Sequence, residues 1–179
     1  MRRSGNLSLT ASLQRLLPAC WLLFGVGAAQ AEGLVFGDWR VEGVGDRSAL
    51  YAETLNDAGS RFREHCVFAL KTCTWKLLVG TACMPAEAHP VLANTDLGAA
   101  QLEIVCEGPV EDHSYAYTFK DWKRLEKLLK SAAVVSFAIP LRAGEIRVEG
   151  FSLQGHSEAT MAAEHAAADI IRRRPTTLR

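Results

Sequence analysis

The chain of 179 residues lacks the sequence patterns that mark most enzymes and metal proteins. It contains no glycine-rich phosphate-binding loop, no closely spaced C-x-x-C pair, and no internal repeat or low-complexity segment. Neither charge sign is in excess, because 20 Lys and Arg balance 20 Asp and Glu. A nucleic-acid binder needs a basic face for phosphate contacts, so this balance argues against nucleic acid as a partner.

The chain also lacks an apolar run long enough to cross a bilayer. Its main apolar stretch, Leu16–Ala29, is shorter than the roughly 20 residues that a spanning helix needs. This stretch follows a basic start and ends at the small-residue triplet Ala29-Gln30-Ala31, which together are the parts of a secretory signal peptide. The sequence predicts cleavage after Ala31, so residues 1–31 are the signal peptide and residues 32–179 form one globular domain without a transmembrane segment.

Two other interpretations of the leader fit its residues less well. Arg2-Arg3 is followed by Ser4-Gly5-Asn6, where a twin-arginine signal would have a polar residue and then apolar ones. Cys20 is preceded by a lipoprotein-like triplet, but the apolar run continues beyond it. An ordinary signal peptide with a late cut is therefore favoured.

Removal of the leader leaves four cysteines, Cys66, Cys73, Cys83 and Cys106. An even set in an exported domain predicts two disulfide bonds and an oxidising compartment, the periplasm or the exterior. Four cysteines allow three connectivities, and spacing alone does not choose among them. Each of Cys66, Cys73 and Cys106 is in step with apolar residues of its own segment, so we favour Cys66 with Cys73 and Cys83 with Cys106. A zinc site is the competing hypothesis, but no histidine lies at a suitable ligand spacing. We therefore expect no metal and no cofactor.

The segment between Leu34 and Phe119 shows the alternation and turn residues of β-strands. We expect Pro85, Pro90 and Pro109 in the connections, where a missing amide donor does little harm. The expected strands are around Trp39 and Val41 and at residues 51–55, 61–70, 73–79, 101–107 and 114–119.

Helices come late in the chain. One is predicted to start near Asp121, as a capping residue, and to continue through Leu129. A hairpin follows, in which Gly150 is expected to form a bulge that changes the inward face of the strand. The alanine-rich segment Ser157–Arg174 predicts a final helix. The sequence thus predicts a mainly β, α+β domain, an antiparallel β-sandwich or barrel-like fold with one central and one C-terminal helix.

One short motif resembles a catalytic one. Gly155-His156-Ser157-Glu158-Ala159 lies between a predicted strand and a predicted helix, which is the setting of a hydrolase nucleophile elbow. The later His165 and Asp169 lie on the same predicted helix as Ser157 and do not converge easily on its hydroxyl. We expect Ser157 to cap the helix instead.

The other titratable residues form no obvious site. His65, His89, His113 and His156 are scattered along the chain, and each is expected on the surface or in a loop rather than as a ligand. The acidic pair Glu111-Asp112 follows Pro109 in an expected turn, where solvated carboxylates are the simplest interpretation. No catalytic residue is therefore assigned.

Segments near both ends of the mature chain support a family resemblance. They are Phe36-Gly37-Asp38-Trp39-Arg40-Val41 near the start, and Ile139-Pro140-Leu141 with Phe151-Ser152-Leu153-Gln154-Gly155 near the end. In these segments, and in element order over most of residues 34–168, the chain resembles the invasion-associated locus B family of bacterial envelope proteins. That family commonly has a large aromatic residue directly after the glycine that corresponds to Gly155, where this chain has His156. The resemblance implies an exported β-rich protein without an established catalytic centre.

Together these features predict an exported periplasmic, non-enzymatic binding or envelope-interaction protein. Its partner would be an unknown protein or another envelope component. Two alternatives remain open: a small periplasmic hydrolase centred on Ser157, and a small-ligand or inhibitor-type binding module. The second would need an apolar pocket between the sheet and the helix predicted at Asp121–Ala132.

Overall fold

The computed structural model describes residues 33–44, 48–110, 113–140 and 144–173. The predicted signal peptide lies outside these residues. Ten strands and two helices are present in the described part of the chain. The strands are β1 Leu34–Phe36, β2 Trp39–Gly43, β3 Ala49–Leu55, β4 Arg61–Val67, β5 Thr72–Val79, β6 Ala88–Thr95, β7 Gly98–Pro109, β8 Tyr115–Phe119, β9 Val134–Pro140 and β10 Ile146–Ser152, and the helices are α1 Trp122–Leu129 and α2 His156–Arg173.

All ten strands belong to one antiparallel sheet, in the order β1-β2-β3-β4-β5-β8-β7-β6-β9-β10. The sheet folds over on itself around an aromatic core. The ring of Phe62 on β4 lies 5.0 Å from that of Phe137 on β9 and 5.7 Å from that of Phe151 on β10. Strands far apart in the sheet order therefore pack face to face. The predicted fold class, a β-rich antiparallel domain with a central and a C-terminal helix, is confirmed.

The two helices pack on the sheet in different ways. Helix α1 is short and buries Leu125 and Leu129, whereas Trp122 at its start remains 42% exposed. Helix α2 buries Ala159, Ala163 and Ala167, spaced four residues apart on one face. Because alanine side chains are small, this face lies close to the strands that α2 contacts, β1 to β4. Within the described ranges, neither of the two helices is long and apolar enough to cross a membrane.

Two glycines hold the β1–β2 turn against the turn that precedes α2. Gly37 has φ +55° and Gly155 has φ +86°, a left-handed backbone that residues with a side chain rarely adopt. A Cβ atom on Gly155 would overlap the carbonyl oxygen of Phe36, and one on Gly37 would come within 2.6 Å of the carbonyl oxygen of Gln154. Both positions therefore require glycine, and we call this meeting of backbones the glycine contact.

Hydrogen bonds flank the glycine contact. The backbone N–H of Asp38 donates to the carbonyl of Gln154 at 3.0 Å. The indole Nε1 of Trp39 donates to the carbonyl of Ser152 at 2.9 Å, 113 positions away in the sequence. The residues that carry the family resemblance, near the two ends of the described part of the chain, are thus in direct contact.

His156 completes this part of the core. Its ring lies 5.0 Å from that of Trp39 and 5.4 Å from that of Trp75. The expectation of a surface or loop residue is therefore wrong: His156 begins α2 and packs as an aromatic residue. Burial lowers its pKa to about 4, so the ring is neutral at pH 7.

Pro90 lies inside β6, and Pro109 is the last residue of β7. Both prolines were expected in connections, and both belong to strands instead. Over its first half β6 pairs only with β7, because its pairing with β9 begins at Leu92. Pro90 therefore has a neighbouring strand on one side only, and its missing N–H breaks no ladder hydrogen bond.

Strand β10 contains no bulge at Gly150. It pairs with β9 without interruption from Ile146 to Ser152. Ile146 and Val148 are 68% and 62% exposed, whereas Glu149 is 2% exposed. The inward face of β10 thus carries a charged residue that the sequence pattern assigned to solvent. Glu149 is stabilised by Asn56 Nδ2, which donates to it at 2.7 Å, and by an ion pair with Arg147.

Candidate functional site: an acidic groove

A groove with a volume of about 520 Å³ lies between the turn that joins β4 and β5, the start of α1 and the second half of α2. Most of its wall is apolar, and three carboxyl groups line it. We call it the acidic groove. Its apolar residues are Val67, Phe68, Trp122, Ala167, Ala168, Ile171 and the linked pair Cys66 and Cys73, and its polar residues are Glu64, Lys71, Thr72, Thr74, Glu126 and Glu164.

The turn at residues 68–71 forms one end of the groove. The backbone N–H of Lys71 donates to the carbonyl of Phe68 at 3.3 Å, and Lys71 has φ +53°. The strand predicted to reach Leu70 therefore ends at Val67, and Leu70 is 69% exposed in the turn. Phe68 remains buried and packs beside the disulfide.

Two disulfide bonds are present in the structure. Cys66 and Cys73 face each other directly on β4 and β5 and form part of the groove wall. Cys83 and Cys106 link the segment after β5 to β7. These are the two pairings that the sequence favours. The Cys66–Cys73 disulfide lies in the groove wall and limits how far the β4–β5 hairpin can open at this end of the groove.

Glu64 is the buried carboxylic acid of the groove. On β4 the inward positions are Phe62, Glu64 and Cys66, so the strand's alternation places this side chain among apolar neighbours. Glu64 is only 2% exposed; its Oε2 atom meets no donor, and its carboxyl group, when protonated, shares a hydrogen bond with that of Glu164. Burial, followed by repulsion from Glu164 and Glu126, raises the pKa of Glu64 to about 8. At pH 7 its carboxyl group is therefore mostly protonated.

The two other acids come from the helices. Glu126 of α1 is half-buried and accepts a long hydrogen bond of 3.4 Å from the indole Nε1 of Trp75. Glu164 of α2 is exposed at the mouth of the groove. Trp122 lies one helical turn before Glu126, and the ammonium group of Lys123 is 5.4 Å from its ring centroid. A partly exposed indole thus borders the acids.

The sulfur atoms and Glu64 also form a group of possible metal ligands. The carboxylate oxygen and the two Sγ atoms lie within 4.8 Å of one another. The two sulfurs are bonded to each other, however, and zinc is bound by thiolates rather than by a disulfide. With the two sulfurs linked, these residues do not fit a zinc centre.

Ser157 does not cap α2. The helix begins at His156, and Gly155 holds the cap position, because its carbonyl accepts the first helical hydrogen bond from the N–H of Ala159 at 3.0 Å. The left-handed turn required by the glycine contact ends at Gly155, so the helix starts one residue earlier than expected. Ser157 is exposed in the first turn, and His165 lies eight residues further on, about 12 Å along the same helix.

The other histidines lie apart from the groove. His65 is half-buried on the outer face of β4, and burial together with Lys76 and Arg63 lowers its pKa to about 4. His89 lies 3.6 Å from the carboxylate of Glu87. His113 is exposed, as expected, and Glu111-Asp112 lies outside the described residues. The structure does not bring these candidates together.

Sequence reasoning missed the three acids of the groove. A small-ligand module was expected to have a pocket between the sheet and α1, and Trp122 and Glu126 do supply one side of the groove. The other sides come from α2 and from the β4–β5 turn. The one available signal was Glu64, a charged residue at an inward position between Phe62 and Cys66.

Comparison with known proteins identifies the fold. No protein-family model and no curated protein sequence matches the chain. Its structure is similar to the crystal structure of invasion associated protein B from Bartonella henselae, with a TM-score of 0.54 and 16% sequence identity. The match covers 79% of this chain and 99% of that one. The chain thus shares the fold of invasion associated protein B, in agreement with the resemblance found in its terminal motifs.

Proposed function

We propose that the chain is an exported, periplasmic, non-enzymatic binding protein of the bacterial envelope, and that the acidic groove is its binding site. The observation that carries this proposal is the groove itself. It combines an apolar wall with a few convergent polar groups, which is the usual composition of a ligand site.

Export is supported by two independent features. The first 31 residues have the three parts of a signal peptide. Two disulfide bonds link the four cysteines that remain, and such bonds persist in oxidising compartments rather than in a reducing cytoplasm. Loss of a native bridge from a small secreted domain typically costs about 2–5 kcal/mol of stability.

A binding role is also favoured over catalysis at Ser157. An activated serine needs a base within hydrogen-bond reach. The ring of His156 is packed between Trp39 and Trp75, and His165 is two helical turns away. The fold neighbour carries the name of an invasion-associated protein, which supports an envelope role for this chain.

Affinity capture from a periplasmic extract tests the proposal. Mature protein is immobilised beside two variants of α2, Ala168→Trp, which fills the groove, and Ala166→Trp, an equally exposed position that does not line it. We expect the unmodified protein and Ala166→Trp to retain the same component and Ala168→Trp to lose it. Location of the chain in the cytoplasm with its leader attached, or stoichiometric labelling of Ser157 by a fluorophosphonate, would contradict the proposal.

A further inference from the structure

We propose that the acidic groove binds a small organic cation, an ammonium group on an apolar body, with the carboxylate of Glu64 accepting its N–H. This inference rests on the proposed function, since it names the class of ligand that the groove takes.

The first argument is the position of the Glu64 carboxyl group. Buried polar atoms in folded proteins nearly always have a hydrogen-bond partner, and leaving one without costs free energy. Glu64 is 2% exposed and lines the groove, its Oε2 meets no donor, and its carboxyl group hydrogen-bonds with that of Glu164 only while a proton lies between them. Once both acids are ionised, the two carboxylates have no donor between them, so the partner that then fits is the N–H of a cation.

The second argument is the balance of charge. The ionisable groups that line the groove are Glu64 from β4, Glu126 from α1, Glu164 from α2, and one cation, Lys71 from the turn. Once Glu64 is ionised, three carboxylates face a single ammonium group, which favours a positively charged occupant. A cation would also relieve the repulsion that Glu64 experiences from the other two carboxylates.

The third argument concerns the rest of the ligand. The groove volume of about 520 Å³ lies within the range of sites for single small molecules. Its remaining wall is formed by apolar side chains, with the indole of Trp122 at the edge. An apolar body would cover this wall, with the indole of Trp122 among its contacts.

This arrangement makes binding depend on pH. In the empty groove burial keeps the pKa of Glu64 near 8, so below that pH the carboxyl must lose its proton before it can pair with a cation. Affinity should therefore rise with pH, by up to about tenfold per unit below pH 8, and level off above it. Lys71 is the one lining group of the same charge as the ligand.

Calorimetric titration with 2-phenylethylammonium, and with the neutral 2-phenylethanol of similar shape, tests the inference. The mature, disulfide-bonded protein is titrated between about pH 6 and about pH 8.5, where the alkylamine stays charged. We expect saturable binding of the cation at the higher pH, at least about tenfold tighter than that of the alcohol. The affinity for the cation should fall at least about tenfold at the lower pH.

Substitutions locate the site. Glu64→Gln keeps the shape of the side chain and should weaken cation binding at least about tenfold and remove its pH dependence. Glu164→Gln, at an exposed position where folding is not at risk, should weaken it as well. Glu158→Gln on the same helix, outside the groove, should leave affinity unchanged. Equal affinity for cation and alcohol, no saturable binding up to about 10 mM, or unchanged binding in both groove variants would overturn the inference.

The two proposals fail in different ways. If the groove holds a neutral or anionic ligand, capture from the periplasmic extract still depends on Ala168, whereas titration with the ammonium shows no preference for it. If the chain is an enzyme, labelling of Ser157 by the fluorophosphonate shows it. If the chain is not exported, cell fractionation shows it. Neither result depends on the outcome of the calorimetric titration.

Discussion

The glycine contact gives the sharpest test of the fold. Substitution of Gly155 by alanine forces a side-chain-bearing residue into φ +86°, which costs about 1–2 kcal/mol. The new Cβ would also overlap the carbonyl oxygen of Phe36, a backbone atom that cannot rotate away. The β1–β2 turn must therefore move from the turn before α2. That movement breaks the hydrogen bond from Asp38 to Gln154, worth about 1 kcal/mol. We expect a total loss of about 2–3 kcal/mol.

Gly59→Ala is the matched control. Gly59 has φ +78°, close to that of Gly155, but a Cβ there would meet nothing within 4 Å. Its substitution should therefore cost only the backbone term, about 1–2 kcal/mol. Gly37→Ala approaches the same contact from the other side and should resemble Gly155→Ala, because its Cβ would lie 2.6 Å from the carbonyl oxygen of Gln154.

Equilibrium denaturation in urea, followed by tryptophan fluorescence, measures these differences in the free energy of unfolding. The reasoning predicts that Gly155→Ala loses at least about 1 kcal/mol more than Gly59→Ala. If the two variants are equally stable, the close approach of the two backbones does not exist in solution. The connection between the terminal motifs would then have to be abandoned.

Three further predictions follow from other parts of the chain. Ser157→Ala should change the free energy of unfolding by less than about 0.5 kcal/mol in denaturation, because the side chain is exposed and Gly155 holds the cap position; a loss of 1 kcal/mol or more would restore Ser157 as the cap. The pKa of Glu64 rises from 4.5 unfolded to about 8 folded, so its contribution to stability is complete below pH 4.5 and is lost as pH rises towards 8. Glu64→Gln should therefore flatten the pH dependence of stability in that window and make the protein more stable than wild type at pH 8, and an unchanged profile would refute this assignment. Intact mass of the exported protein should correspond to a start at Glu32 with four oxidised cysteines, and a lipid-modified Cys20 or a free thiol would contradict it.

The alternation of apolar residues was enough to predict most strands and the favoured disulfide pairs, and a capping residue and an alanine-rich segment predicted the two helices. The alternation failed where the core contains charge. On β10 the exposed residues Ile146 and Val148 look like a buried face, while Glu149 is inside and stabilised by Asn56, a residue 93 positions earlier. Such a partner is set by how the sheet folds over, which a local pattern does not contain.

The candidate site was less accessible to sequence reasoning than the fold. Glu64, Glu126 and Glu164 come from a strand and two helices, and no spacing relates them. Only the inward position of Glu64 was visible in advance. Pro90 shows the same limit on a smaller scale, because a proline within a strand is acceptable only where a neighbour is missing, and the sheet order decides that.

The bond between Trp39 and Ser152 also constrains when the domain can finish folding. The two residues are 113 positions apart, so at typical synthesis rates of about 5–20 residues per second Trp39 emerges roughly 6–23 s before its acceptor. The glycine contact and the burial of Trp39 beneath α2 must wait for the last part of the chain. Throughout that interval Trp39, the largest fully buried side chain among the described residues, lacks the contacts that bury it in the folded domain. The N-terminal strands of the domain therefore complete their packing only after the final helix has been made.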